Sequence, residues 1–341
     1  MKKNVILIAC CSMLLLTGCH KGRSYFPPQR EMESVDIRLL RFDNALLSID
    51  LSDSANLLPQ IRELYRAYPV FMPRWTEDII GIPTEDTAYL CHQLPLFLED
   101  TLYGFKQTNE REQELFRDVS QIEADMEGAF TRLKYLEPEV VIPDIYLFVS
   151  GFNASIMFVD EDVAVGADMY LGSDYAFYNR VVYDYQKYTM RKECIPADVV
   201  SAYLFRTFPY MGTKNRLIDN MIYRGKMMYI LNELFPTLSE PEVMGYTPEQ
   251  WQWCERYERA IWHLMMDKKD LFKTETLVLS SYLNDGPFTS EVSQDAPARL
   301  GTWVGWRIVR SYMEENKEVS LSELLHNDDA EKILEYSYYR P

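Results

Sequence analysis

One cysteine in this chain is placed for covalent chemistry at its thiol. Cys19 closes Leu16-Thr17-Gly18-Cys19, behind Lys2, Lys3 and an apolar run over residues 5–16. A basic start, an apolar segment and small residues before a cut are the parts of a secretory signal. A Cys directly after the cut offers its thiol to diacylglycerol. The order therefore predicts a lipoprotein signal peptide over residues 1–18 and a mature chain that begins at a lipidated Cys19. The apolar run is too short for a membrane span, which takes about 20 residues. The covalent lipid on Cys19 is thus the expected membrane attachment, and no other cofactor is expected.

The remaining reactive side chains exclude more than they propose. His20, His92, His263 and His326 are the full set, and none is a sequence neighbour of another. The i, i+4 histidine pair of a zinc helix is therefore absent. No G-x-S-x-G elbow, Walker-type loop or C-x-x-C occurs, so no nucleophile, phosphate cradle or cysteine metal site is assigned. Cys10 and Cys11 leave with the signal. Cys91, Cys194 and Cys254 remain, an odd number that allows one disulfide at most. Asp160-Glu161-Asp162 lacks the spaced ligands and glycine of a calcium loop and reads as a charged hairpin turn. No catalytic residue and no metal ligand is expected.

With 52 acidic against 35 basic residues, the net charge is −17. Loss of the signal removes Lys2 and Lys3 and makes the mature chain more acidic still. That balance argues against nucleic acid as a partner. His20 follows Cys19, where an acidic residue would favour retention in the inner membrane. Outer-membrane anchoring facing the periplasm is the expectation.

The elements that must carry any site begin after a tether. Residues 19–35 hold Pro27-Pro28 without periodicity, and 36–341 read as one globular domain. Ile37-Arg38-Leu39-Leu40-Arg41-Phe42 reads as a strand entering a helix, and helical spacing follows through Leu57, Leu58, Ile61, Leu64 and Tyr65. Helices are expected over 84–98 and 110–136. Val140-Val141-Ile142, 145–149, 155–159 and 163–166 are β-rich and predict a small central antiparallel sheet of three or four strands. Further helices are expected over 175–190, 198–207, 217–234, 248–272, 299–315 and 320–336, the last opened by a Ser320/Glu323 capping box. The fold class is α+β, mainly helical, in a single domain.

Two of these helices carry smooth patches. Gly225 sits within the stripe Ile218, Met221, Ile222, Met228 and Tyr229, with Arg224 and Lys226 at its edges. Gly301-x-x-x-Gly305 gives a second patch, and Trp306 and Arg310, one turn apart, are spaced to stack. A cleft lined by Arg224, Lys226, Arg307 and Tyr312 is the functional expectation; packing with snorkelling side chains is the alternative. The 24 Tyr, 16 Phe and 6 Trp also permit glycan stacking, although most of them fall on apolar stripes.

Several ordered motifs resemble the GldB-type gliding-motility lipoproteins of Bacteroidota. They include Ile37-Arg38-x-x-x-Arg41-Phe42-Asp43, Tyr68-Pro69-Val70-Phe71, Ala167-Asp168-Met169-Tyr170-Leu171-Gly172 and Leu217-Ile218-Asp219-x-Met221-Ile222-Tyr223-x-Gly225-Lys226. Gly245-Tyr246-Thr247-x-Glu249-Gln250, Gly301-x-Trp303-x-Gly305-Trp306-x-Ile308-Val309-x-x-Tyr312-Met313 and Ser337-x-Tyr339-x-Pro341 complete the set. Tyr257-Glu258 departs from the family's Asn-Glu and keeps the glutamate. That family is similar in turn to predicted zinc proteases of the gluzincin type, which bind metal through a histidine helix and a following Glu-Gly pair. In this chain the segment from Asp198 to Phe205 has no histidine, and Arg224-Gly225 stands where Glu-Gly would fall. The resemblance implies a degenerate metallopeptidase-like domain without its metal, in a non-enzymatic lipoprotein that binds a protein partner of the envelope. Asp219, Tyr223, Arg224, Lys226, Glu258, Arg307 and Tyr312 are the candidate vestigial-cleft and partner-binding residues. A hydrolase with an unrecognised metal or carboxylate site and a glycan-binding lipoprotein are the alternatives.

Overall fold

The computed structural model describes residues 24–52, 56–83, 86–101 and 104–341. The expected signal peptide, Cys19 and the first two residues of the helix expected over 84–98 lie outside them.

Leu39–Arg41 forms β1, Ile145–Phe148 β2, Ile156–Val159 β3 and Asp162–Gly166 β4. The sheet order is β1-β2-β4-β3. Only β3 and β4 pair antiparallel, around a turn where Asp160 has φ 51°. β1 runs parallel to β2 with Leu39 opposite Ile145, and β2 runs parallel to β4 with Ile145 opposite Val163. The expected antiparallel sheet is therefore corrected to a mixed one. A hairpin is written in adjacent residues, whereas parallel partners return over long crossovers that local pattern does not record. Val140-Val141-Ile142 is no strand.

The pleat of this sheet sends alternate residues into two cores. Ile145, Leu147, Val163 and Val165 face the larger, and Tyr146, Phe148 and Ala164 face the smaller. Burial on both faces explains the unbroken apolar run of β2. The smaller core is closed by α1 (Phe42–Leu47), α2 (Leu57–Ala67), α3 (Phe71–Arg74), a π-helical turn over Trp75–Ile80 and α4 (Thr87–Glu99). Phe71 stacks on Tyr146 at 4.6 Å between centroids. Buried Trp75 donates its indole N–H to the Val149 carbonyl at 2.9 Å.

The helix expected over 110–136 is two, α5 (Phe105–Leu115) and α6 (Ser120–Leu136). Asp118 accepts the Ser120 amide at 3.0 Å, and Arg41 donates to the Phe116 carbonyl at 2.7 Å. The break is thus capped from both sides. The stretch expected as a helix over 175–190 holds only α7 (Tyr178–Val181) and the 3-10 turn Asp184–Thr189. The Tyr183 amide there bonds to Gln186 rather than continuing the helix.

The larger core gathers α8 (Ile195–Thr207), α9 (Leu217–Leu234), α10 (Glu240–Met244), α11 (Pro248–Asp267), α12 (Thr276–Leu283) and α13 (Leu300–Glu315). The last expected helix divides into α14 (Leu321–His326), opened by the Ser320/Glu323 capping box, and α15 (Ala330–Ser337), capped by Asp329. α9 and α13 meet backbone to backbone. A Cβ on Gly225 would overlap the Gly305 carbonyl, and one on Gly305 would overlap the Met221 carbonyl.

Candidate functional site

The seven expected cleft residues occupy three separate places. Asp219 is 2% exposed and accepts the Arg216 amide at 2.9 Å and its guanidinium at 2.7 and 2.8 Å, which locks the first turn of α9. Tyr223 donates to the Phe208 carbonyl at 3.0 Å. Lys226, 1% exposed, donates to the Leu325 carbonyl at 3.3 Å and to Asp328 at 3.1 Å, holding the α14–α15 turn against α9. Arg224 turns the other way and donates to the Leu283 carbonyl at 2.8 Å. Arg307 forms a two-point bond with Glu258 at 2.9 and 3.3 Å, and the Tyr339 hydroxyl donates to the same carboxylate at 2.9 Å. Tyr312 is 4% exposed.

A shared cleft of Arg224, Lys226, Arg307 and Tyr312 is therefore corrected. The Gly225–Gly305 approach buries α9 on nearly every side, so the side chains at the edges of its stripe meet protein rather than solvent. The Arg310 guanidinium does lie 6.0 Å from the Trp306 ring centroid, as the spacing predicts.

An open cavity lies one helix away. α8 packs beside α9. Asp198 and Ser201 of α8, Met228 and Leu231 of α9, Glu242 and Val243 of α10, and Arg299 line a cavity of about 250 Å³. A second hollow of about 230 Å³ shares Thr189, Gly245, Asp285 and Arg299 with it and is walled by Tyr185, Tyr188 and Tyr246.

Local structure fixes each wall. Gly245 ends α10 at φ 70°, a conformation that favours glycine. The guanidinium of Arg299 donates to the Met244 carbonyl at 2.6 Å and so caps the same helix end. Arg299 itself sits at φ 57°, uncommon for a residue with a side chain, just before α13. Its Nε is buried without a hydrogen-bond partner among the described residues and lies 3.6 Å from Asp285.

Asp198 accepts the Tyr170 hydroxyl at 2.9 Å. Burial pushes its carboxyl up to about 6, against the pull of the Tyr170 bond and the charge of Arg299. Burial also pushes the Cys194 thiol, at the cavity wall, up to about 11, so at neutral pH it is protonated and a poor nucleophile.

A second polar constellation closes the carboxyl ends of the three parallel strands. Arg41 holds Asp43 at 2.6 to 3.2 Å, and Asp168 accepts the Ser150 and Phe152 amides at 2.8 and 2.6 Å. Glu112 of α5 is fully buried nearby, and among the described residues neither of its carboxyl oxygens has a partner. Burial, then the charges of Asp168 and Asp43, push its carboxyl well above the ordinary range. The described residues contain no cluster of three His, Cys, Asp or Glu able to hold a metal ion. His92 and His263 are both exposed, on α4 and α11. Cys91, Cys194 and Cys254 are free thiols.

Sequence reasoning passed over Asp198, Arg299 and Glu112 as site residues. For Gly245 a helix-end signal was present, since glycine after an apolar position is a common stop. Nothing local marks Arg299, whose role depends on a left-handed backbone and on a helix end more than fifty residues earlier.

Fold and site together define a mainly helical α+β protein with a cleft at the α8–α9 pair; no described helix is long and apolar enough to cross a membrane. The family model described as gliding motility protein GldB matches residues 26–341. The chain belongs to that family of gliding-motility lipoproteins. No curated protein and no solved structure matches the chain.

Proposed function

We propose that this lipoprotein acts without catalysis, anchored by Cys19 in the outer membrane and facing the periplasm, and holds a protein partner of the gliding apparatus in the cleft beside α8. The observation that carries this reading is the position of the cavity. It opens between α8 and α9, the helices that the gluzincin resemblance matches to the zinc-binding pair. Asp198 stands on the first, where those proteases carry histidines, whereas Arg224 on the second points away from the cavity to the Leu283 carbonyl. The protonated Cys194 thiol supports a binding rather than a chemical role.

Affinity capture from native membranes tests the reading. The wild-type protein is expected to retain an envelope protein that a cavity-filling Ser201→Leu variant loses. Peptide hydrolysis that requires zinc and disappears in Asp198→Asn would instead establish a peptidase. A glycan-binding role has one observation in its favour. Tyr183, which is exposed, stacks on Tyr185 of the second hollow at 5.7 Å between centroids. A glycan array separates the two readings.

A further inference from the structure

The cleft's own charges define what enters it. Its acids are Glu193, Asp198, Glu242 and Asp285, and its cations are Arg191 and Arg299. Glu242 is already engaged by the Ser239 amide at 2.8 Å and hydroxyl at 2.6 Å. Asp285 lies 3.6 Å from Arg299, which itself caps α10. Arg191 donates to the Tyr188 carbonyl at 2.8 Å, lies 3.7 Å from the Cys194 sulfur and covers the Tyr188 ring at 4.9 Å. Both arginines are therefore fixed in the wall. Asp198 takes one neutral hydroxyl, from Tyr170, and among the described residues neither arginine donates to it. Glu193 stands exposed at the rim.

Size narrows the occupant further. Pockets for whole small molecules span about 300 to 1,000 Å³, and this cavity taken without the adjoining hollow, at about 250 Å³, lies below that range. One long side chain fits. Its negative floor, exposed negative rim and apolar flank of Met228, Leu231 and Val243 match an aliphatic stem ending in a cation. A chain of net charge −17 also draws a basic partner toward it.

We infer that the partner docks by inserting a lysine or arginine side chain into this cavity, with its cation against Asp198 and Glu193 at the entrance. The inference rests on the cleft being the partner's seat.

Full-length lipidated protein in detergent is titrated calorimetrically with nine-residue peptides identical except for a central Lys, Arg, Gln or Glu. The Lys and Arg peptides are expected to bind about tenfold or more tightly than the Gln peptide, with the Glu peptide weakest. Asp198→Asn is expected to remove that preference, and Ser201→Leu to remove binding. On the wild-type protein, Lys-peptide binding is expected to weaken as pH falls through about 6, where Asp198 takes up its proton; this keeps the test decisive if Asp198→Asn does not fold. Equal binding of the Glu peptide, a preference that survives Asp198→Asn, or a pH-independent affinity overturns the inference and leaves the cleft reading intact. Partner capture unaffected by Ser201→Leu overturns the cleft reading instead.

Discussion

At the residue scale, Glu112 shows how a single side chain sets pH dependence. Its carboxyl is fully buried without a donor among the described residues and faces two other carboxylates, so the folded state holds its proton above the ordinary range. A folded value above the unfolded one makes stability complete below the unfolded value, and stability falls as pH rises toward the folded one. Asp198, pushed up to about 6, and Glu233, pushed up to about 7, act with the same sign. We therefore expect urea midpoints to drop between pH 5 and pH 8, and Glu112→Gln to flatten part of that drop. A variant as pH-sensitive as wild type would show that Glu112 is ionised in the fold. Lys226 is the opposite case, a buried cation whose donors are spent on the Leu325 and Asn327 carbonyls and on Asp328. Lys226→Met leaves the buried Leu325 carbonyl without its donor and is expected to cost about 3 kcal/mol in denaturant unfolding. Cys19→Ser is expected to move the protein from the membrane to the soluble fraction, since it would remove the proposed lipid chains, worth about 0.8 kcal/mol per buried methylene.

At the element scale, the contact between α9 and α13 depends on two positions without side chains. Gly305→Ala would drive a Cβ into the Met221 carbonyl, a backbone atom that cannot rotate aside. We expect it to lower stability by about 3 kcal/mol, read from the denaturant midpoint, and Gly225→Ala to act similarly. The glycine stripes themselves were legible in the sequence, as were the bounds of α9, the strand-to-helix step at Arg41 and the capping box at Ser320. What stayed hidden were breaks and returns. Phe116 and the Asn327-Asp328-Asp329 turn interrupt helices because distant side chains, Arg41 and Lys226, satisfy the backbone there. The parallel pairings join segments with no shared local pattern. The candidate site was the least legible part, because Lys226 and Arg224 look like cleft cations on a helical projection and become interior ones only once α13 arrives against Gly225.

At the scale of the whole molecule, two cores share one sheet, and neither closes without it. Limited proteolysis is expected to trim no further than about residue 24, because Tyr25, Phe26 and Val35 pack on the larger core, and to leave the rest intact, since the smaller core needs Tyr146, Phe148 and Ala164 from beyond α6. A stable fragment ending near residue 140 would mean that α1 to α6 fold alone. The pairing of Leu39 with Ile145 also has a consequence in time. The two strands are about a hundred residues apart, and such separations slow folding because the intervening loop must close first. The N-terminal helices cannot shelter their apolar faces until β2 and β4 have both been delivered. A chain exported thread-like from its N-terminus would cross before its scaffold exists, and would arrive needing protection for the first third of its length. Late closure of the sheet would keep an exported polypeptide transportable, and would make that interval its period of greatest exposure to aggregation and proteases.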